Sequence, residues 1–342
     1  VRCISEALAL ADAPRLRDLY AARRRIAGVA TRSPLVPSPS LAARAGAEVL
    51  LKLETVQPTG AFKLRGAANA VAALDAAARA RGVVCCSTGN HGRAVAYAAR
   101  ACGVHAVVCL SALVPAVKVE AVEALGAEVR RVGASQDEAQ VEVDRLVAEE
   151  GMVEIPPFDH PDVIAGQGTI GVELFEDRPD LETIVVPLSG GGLVGGIALA
   201  AKAIHPAVRV VGVSMDRGAA MAASLAAGRP VEVAEVASLA DSLGGGIGLD
   251  NRYTLDLCRR LVDEVILLDE AAIYRGMRAL FLEDRIVCEG GCAVGPAALL
   301  AEKLRLDGPT AMIISGRNVD MDQFTAVVAG RPVRLGDVVV EG

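Results

Sequence analysis

The feature that most constrains this chain is a rhythm of apolar runs. EVLLKL at 48–53, GVVCC at 82–86, HAVVCL at 105–110, AEVRRV at 127–132, TIVVPL at 183–188, VRVVGV at 208–213 and TAMII at 310–314 all read as strands. Ala- and Leu-rich stretches at 92–102, 115–125, 135–150, 193–204 and 291–305 have helical composition and length. Most of the runs are apolar on successive residues instead of alternating. Strands covered on both faces, as parallel strands are, have that pattern. The expected class is therefore α/β with doubly wound parallel sheets. At about 150 residues per domain, 342 residues suggest roughly two domains. The segment 151–168, GMVEIPPFDHPDVIAGQG, breaks the first rhythm with three prolines, and a second rhythm begins at 183. We expect a small domain at 73–157 inserted in a larger one made of 1–72 and 158–342. A ligand would sit in the cleft between them. The tail at 330–342 has no assignment.

Charge and composition exclude several function classes. Lys and Arg total 35 against 42 Asp and Glu, a formal net charge of −7. Non-specific nucleic-acid binding needs a basic surface. With no Trp, 5 Phe and 4 Tyr, a base-stacking platform is not expected either. No stretch of 18 residues is free of charge and turn residues, so no membrane span is expected. Glu6, Asp12, Arg15, Arg17 and Asp18 interrupt what would be the apolar part of a secretory signal. The eight cysteines form no C-x-x-C pair and mostly sit in apolar runs, as buried reduced thiols would. A cytoplasmic protein is expected.

Four segments carry chemistry. Residues 189–196, SGGGLVGG, follow a strand and open a helix. Successive amides without Cβ atoms at a helix N-terminus make a phosphate cradle; the bland alternative is a tight turn that holds nothing. A competing reading takes Gly190, Gly192 and Gly195 as G-x-G-x-x-G, with Asp216 as the ribose-binding acid of a dinucleotide-dependent oxidoreductase. Residues 58–67, PTGAFKLRGA, place Lys63 after Phe62 at the start of a helix. Lys63 is either a solvated surface charge or, in an apolar pocket, a Schiff-base amine. Residues 87–93, STGNHGR, start a helix suited to a carboxylate. Within them Asn90 can bond a ligand oxygen, and His91 is either a packed or capping residue or an acid/base. Residues 314–320, ISGRNVD, bring Ser315 to the carboxyl end of a strand, the binding edge of an α/β sheet.

In that order and spacing, the four segments resemble the fold-type-II pyridoxal-phosphate enzymes, whose two α/β domains are of the tryptophan synthase β type. The resemblance is closest to the serine/threonine dehydratase and serine racemase branch and runs from the 33–35 turn to Asn318. LETVQPTGAFKLRGAANA, STGNHGRAVAYAAR and ADSLGGGIGLDN look most like the hydroxyectoine-utilisation dehydratases. The resemblance implies the cofactor pyridoxal 5'-phosphate, held by Lys63, with Lys63 then acting as α-proton base. It implies Phe62 against the ring and Asn90 on its phenolic oxygen. Amides of Gly190, Gly191, Gly192 and Leu193, with Ser189 beside them, would hold the phosphate. Ser315 would face the ring nitrogen, and Ser87, Thr88, Gly89, Asn90 and His91 would take the substrate carboxylate.

The implied activity is an ammonia-lyase that eliminates water from a β-hydroxy amino acid or a hydroxyectoine-derived compound, giving a 2-keto acid and ammonia. Racemisation is the alternative within the fold. The racemases carry a serine where this chain has Thr88, a bulkier hydroxyl on the second face. The family's metal site uses an acid where Ser214 and Met215 stand here, so no metal site is expected, with Asp216 the one residue that leaves room for it. Ser242 stands where the family commonly has a glycine facing the ring and is a candidate cofactor contact. Glu289 either lies near the cofactor or caps the helix beginning at 291. The chain length leaves no room for a C-terminal regulatory domain, so feedback control is not expected. The resemblance further implies a homodimer with a small-molecule substrate as its only other partner.

Overall fold

The computed structural model describes residues 12–87, 89–114 and 116–342, without the side chains of 117 and 118. Two parallel sheets form, as the apolar runs require. One has six strands in the order β1-β2-β10-β7-β8-β9. These are β1 (Leu35–Pro37), β2 (Val49–Leu53), β7 (Thr183–Pro187), β8 (Arg209–Met215), β9 (Glu264–Leu268) and β10 (Thr310–Ile314). Only β1 runs antiparallel, pairing Leu35 with Lys52 and Pro37 with Leu50. The other sheet has four parallel strands in the order β5-β4-β3-β6. They are β3 (Val83–Cys86), β4 (Ala106–Leu110), β5 (Glu128–Arg131) and β6 (Val153–Glu154).

Each sheet is buried on both faces, which explains the continuous apolar runs. On β7, Ile184 and Val186 face one core cluster and Val185 faces the other. In the four-stranded sheet, Val84, Cys86, Val107 and Cys109 pack under Ala139, Val143 and Leu146 of the helix Gln136–Glu150. Its opposite face receives Ala94, Ala98 and Ala99 of the helix Asn90–Cys102. It also receives Leu64, Ala67, Ala68 and Val71 of the helix Lys63–Ala73. That helix therefore shares the small sheet's core, packed against the helices Asn90–Cys102 and Pro161–Asp177, although it follows the large sheet's β2 in the chain.

The helix Lys63–Ala73 crosses the helix Pro161–Asp177 at closest approach through glycines. A Cβ on Gly166 would lie 2.5 Å from the Arg65 carbonyl and 2.6 Å from the Gly66 Cα. A Cβ on Gly66 would meet the Val163 and Gln167 side chains.

Some elements differ from the sequence reading. The Pro-rich break ends at 160, because Pro161 starts the helix Pro161–Asp177 at a position where its missing N–H costs nothing. The stretch 291–305 is α-helical only over Val294–Leu300, after the 3₁₀ turn Gly290–Cys292, and Glu302 then turns the chain with φ of +56°. The tail forms an antiparallel hairpin of β11 (Val333–Leu335) and β12 (Val338–Val340). All seven described cysteines are free, and six of them are buried. Among the described residues, no helix is long and apolar enough to cross a membrane.

Candidate active site

The strands β2, β3, β7 and β10 all deliver their following loops at carboxyl ends, where α/β sheets bind ligands. The loop ahead of Lys63 is stitched to the end of β10. Phe62 N–H donates to the Ser315 carbonyl at 2.9 Å, Arg317 N–H donates to the Gly60 carbonyl at 2.9 Å, and Ala61 bridges Gly316. Gly60 has φ of +78°, a left-handed conformation that glycine adopts freely. Lys63 is thereby fixed on the first turn of its helix. Its Nζ donates to the Pro157 carbonyl at 2.7 Å and lies 5.4 Å from the centre of the half-buried Phe62 ring. Burial pushes the Lys63 amine down to about 8, and the Glu289 carboxylate works against that shift. An amine that is partly neutral near pH 8 is a competent nucleophile and base. The surface-charge reading of Lys63 does not hold.

Asn90 opens the helix Asn90–Cys102 and is held from both ends of its amide. Its Nδ2 donates to both Glu289 oxygens at 3.0 Å, and its Oδ1 accepts from Asn318 Nδ2 at 2.6 Å. Asn318 Nδ2 also donates to the Thr59 carbonyl at 2.8 Å. Glu289 is buried, and burial pushes its carboxyl up while the bonds from Asn90 and from Ser242 oppose this. Glu289 makes no side-chain cap to the short helix Gly290–Cys292, so its capping reading is replaced by this bond to Asn90. Ser242 is exposed at residue level and reaches Glu289. Ser315, whose carbonyl takes the Phe62 amide, is 3 % exposed.

His91 is buried, with Nε2 2.7 Å from the Ile155 carbonyl. Burial, together with the Lys63 charge, pushes its imidazole down to about 3. A neutral ring, not an imidazolium, is thus what His91 presents at ordinary pH. With Nε2–H donated to the carbonyl, Nδ1 keeps a buried lone pair with no partner among the described residues. Ser87 is half-buried and its Oγ accepts from the amide of the exposed Gly89 at 3.3 Å. Thr88 lies outside the described residues.

The glycine loop follows β7. The amides of Gly190, Gly191, Gly192 and Leu193 donate to no backbone carbonyl among the described residues. They stand at the start of the helix Gly192–Ile204, whose positive end favours an anion. Side chains have no room here. A Cβ on Gly190 would meet the Phe158 ring, and one on Gly192 would lie 2.9 Å from the Phe158 carbonyl. Gly191, at φ of +86°, has Met221, Thr254 and Cys258 within 3.0 Å of where its Cβ would be. Ser189 is half-buried beside the loop. Asp216, the proposed ribose acid, is exposed at the end of β8, where its amide donates to the Leu268 carbonyl. Among the described residues, no cluster of three metal-ligating side chains forms.

Lys63, Phe62, Ser315, Asn90 and Ser242 are thus joined through Glu289, Asn318 and the β10 loop. The glycine loop meets Lys63 through two consecutive residues, Pro157 and Phe158. The sequence reading did not single out Asn318, Pro157 or Phe158, since their parts depend on contacts between segments far apart in the chain. These groups fit pyridoxal phosphate: a desolvated amine, an unpaired amide cradle that excludes side chains, and the Thr59 hydroxyl close to the amine in sequence, buried without a partner among the described residues.

Comparisons with known proteins agree. Residues 26–316 match the model of the family described as pyridoxal-phosphate dependent enzyme. A putative threonine dehydratase of Sinorhizobium fredii is 53% identical over 316 residues, 92% of this chain and 95% of that protein. The L-threonine ammonia-lyase of Thermotoga maritima is 38% identical, covering 94% of this chain and 80% of that one. The solved structure of maize serine racemase superposes with a TM-score of 0.87 at 36% identity, covering 93% of this chain and 97% of that one. The family match sets aside the dinucleotide-dependent oxidoreductase. With its two parallel sheets and the match over residues 26–316, the chain belongs to the fold-type-II pyridoxal-phosphate dependent enzymes.

Proposed function

We propose that this protein is a dehydratase, an ammonia-lyase that removes water from a β-hydroxy amino acid and yields a 2-keto acid and ammonia. The observation that carries this reading is the desolvated Lys63 amine, pushed to about 8 and tied through the 157–158 backbone to an unpaired amide cradle. The threonine dehydratases among its relatives support the same class. Lys63 would hold the cofactor and the 190–193 amides its phosphate. Phe62 would lie against the ring, Asn90 on the phenolic oxygen and Ser315 at the ring nitrogen. Pyridoxal phosphate supplies the electron sink for the pair left at Cα. Lys63 would take the α-proton, the β-carbon to oxygen bond would break and the hydroxyl would leave as water, its added proton balancing the one taken from Cα; hydrolysis of the free enamine by one water would then give the keto acid and ammonia. Ser315 offers a neutral hydroxyl that does not enforce a positive ring nitrogen, which favours prompt elimination. The 87–91 loop would take the substrate carboxylate at a helix N-terminus, and His91 would remain neutral there.

The finer substrate we propose is hydroxyectoine-derived, on the likeness of the 53–70, 87–100 and 240–251 strings to hydroxyectoine-utilisation dehydratases. A homodimer is proposed on the same likeness, and a cytoplasmic location on the cysteine pattern and the charged residues near the start, for sedimentation and fractionation to check. Borohydride reduction and peptide mapping should place a pyridoxyl group on Lys63. Ammonia and keto acid should form from serine, threonine, hydroxyaspartate or a hydroxylated ectoine derivative. Label on another lysine would overturn the assignment of Lys63. Formation of D-serine without ammonia would favour the racemase instead.

A further inference from the structure

We infer that Asp159 is a positioning residue that clamps the glycine loop and so governs how firmly the protein retains its cofactor. This rests on the reading that the 190–193 amides hold the phosphate.

Three consecutive residues touch three parts of the site. The Pro157 carbonyl accepts from Lys63 Nζ at 2.7 Å. The Phe158 ring and backbone occupy the space over Gly190 and Gly192. The Asp159 carboxylate accepts the amides of Arg252, Tyr253 and Thr254 at 2.6, 2.9 and 2.8 Å. Those amides open the helix Thr254–Leu261, whose own Tyr253 supplies no side-chain cap. A carboxylate from more than 90 residues upstream therefore satisfies amides that have no intrahelical partner and meets the positive end of the helix.

That helix is the other side of the clamp. Thr254 and Cys258 stand 2.9 and 3.0 Å from where a Gly191 Cβ would be. The glycine loop is thus held between Phe158 and the Thr254/Cys258 face, and Asp159 ties the two together. Without the carboxylate, three amides lose their acceptor and Phe158 loses its anchor one residue away. The cradle then closes on the phosphate with less support, and the Pro157 carbonyl loses its fixed place at the Lys63 amine.

The test compares pyridoxal-phosphate release from the holoenzyme, and its affinity on reconstitution, in four variants. Asp159→Ala should release the cofactor at least about tenfold faster, the equivalent of one charge-assisted hydrogen bond. Asp159→Asn keeps one acceptor oxygen and should recover part of that loss; it also folds more readily should the alanine variant not accumulate. Asp269→Ala removes a carboxylate cap of the same kind, from Ala272 N–H at the helix Glu270–Asp284, away from the glycine loop. It should lower the melting temperature and leave retention unchanged. Gly191→Val reports on the cradle itself and should release cofactor fastest. If Gly191→Val loses cofactor while Asp159→Ala stays within twofold of wild type, the clamp is overturned and the cradle stands. Equal loss in Asp269→Ala overturns the clamp as well, since any missing cap would then act alike. Full retention in Gly191→Val overturns the cradle reading and the clamp with it.

Discussion

Lys63 and Arg65 stand two residues apart on one helix, Lys63 half-buried with a desolvated amine and Arg65 fully buried, and chemistry treats them in opposite ways. Arg65 is held bidentately by Glu54, with Nε and Nη2 donating at 2.8 Å each, and by Glu173, with Nη1 and Nη2 donating at 2.6 and 2.9 Å. Lys52 donates to the same Glu173 at 2.7 Å and to the Ser33 carbonyl at 2.7 Å. Two cations thus face two anions in a place that water does not reach. Burial disfavours the Arg65 charge, yet Glu54 and Glu173 raise its pKa well above the ordinary value. Lys63 has a backbone carbonyl and a more distant carboxylate instead, and burial prevails. Arg65, matched by two carboxylates, is structural and stays charged; Lys63, left with neutral oxygen, gives up its proton readily and can react.

Lys63→Ala should separate the two sites most sharply. Turnover should fall by roughly 10³-fold or more, because both the holding amine and the base are lost, while unfolding stability barely changes. Keto-acid formation and urea unfolding of the same sample give both numbers. Glu173→Gln should do the reverse. It leaves Lys52 and Arg65 facing one carboxylate and should cost about 3–5 kcal/mol in urea unfolding, with little change in kcat of the folded fraction. Burial raises the Glu173 carboxyl, but Arg65 and Lys52 overcome this and hold it below 4.5. Its contribution is therefore complete above pH 4.5 and is lost as pH falls through the lower folded value.

Glu289→Gln sharpens the contrast from the other side. The native carboxylate holds the Lys63 pKa up, so its loss should move the amine's midpoint below about 8. The rate at which cofactor-free protein takes up pyridoxal phosphate follows the neutral amine, so its rise with pH should level off at lower pH in the variant. In wild type the folded value of about 8 lies below the unfolded 10.5. The unfolded chain then binds more protons between those values, and stability of the cofactor-free protein should rise with pH across that window. The smallest effect belongs to a solvated pair. Arg44→Ala removes the exposed Arg44–Glu283 bridge and should change stability by less than about 1 kcal/mol in the same urea assay.

The sequence reading was strongest where one segment carries its own signal. Seven strands came from apolar runs, and Lys63 and the glycine loop came from local residue types. Strand β9, EVILL, carries the same signal but was not read as a strand. The Arg65 cluster had a weaker one: Lys52 and Glu173 are lone charges inside the apolar runs VLLKL and GTIGVELF, and such charges are buried only with partners. Which partner each takes is a matter of tertiary contact. The same holds for Glu289 with Asn90, 199 residues apart, and for Asp159 with the 252–254 amides. The Pro-rich segment reads as a break because Pro156 and Pro157 follow strand β6 and Pro161 starts the next helix, and no local pattern says that Pro157 and Phe158 reach Lys63 and the glycine loop.

The crossing of Gly66 and Gly166 has a consequence for anyone mapping this enzyme by random mutagenesis. Neither residue carries a functional group. A methyl on Gly166 would drive into the backbone that bears Arg65 and Gly66, and so displace the turn that presents Lys63. Loss-of-function screens should score Gly166 as severely as the reactive lysine, and Gly66 less so, because the Cβ there meets side chains that can shift. A map drawn from tolerance alone would place part of the active centre at an inert helix junction.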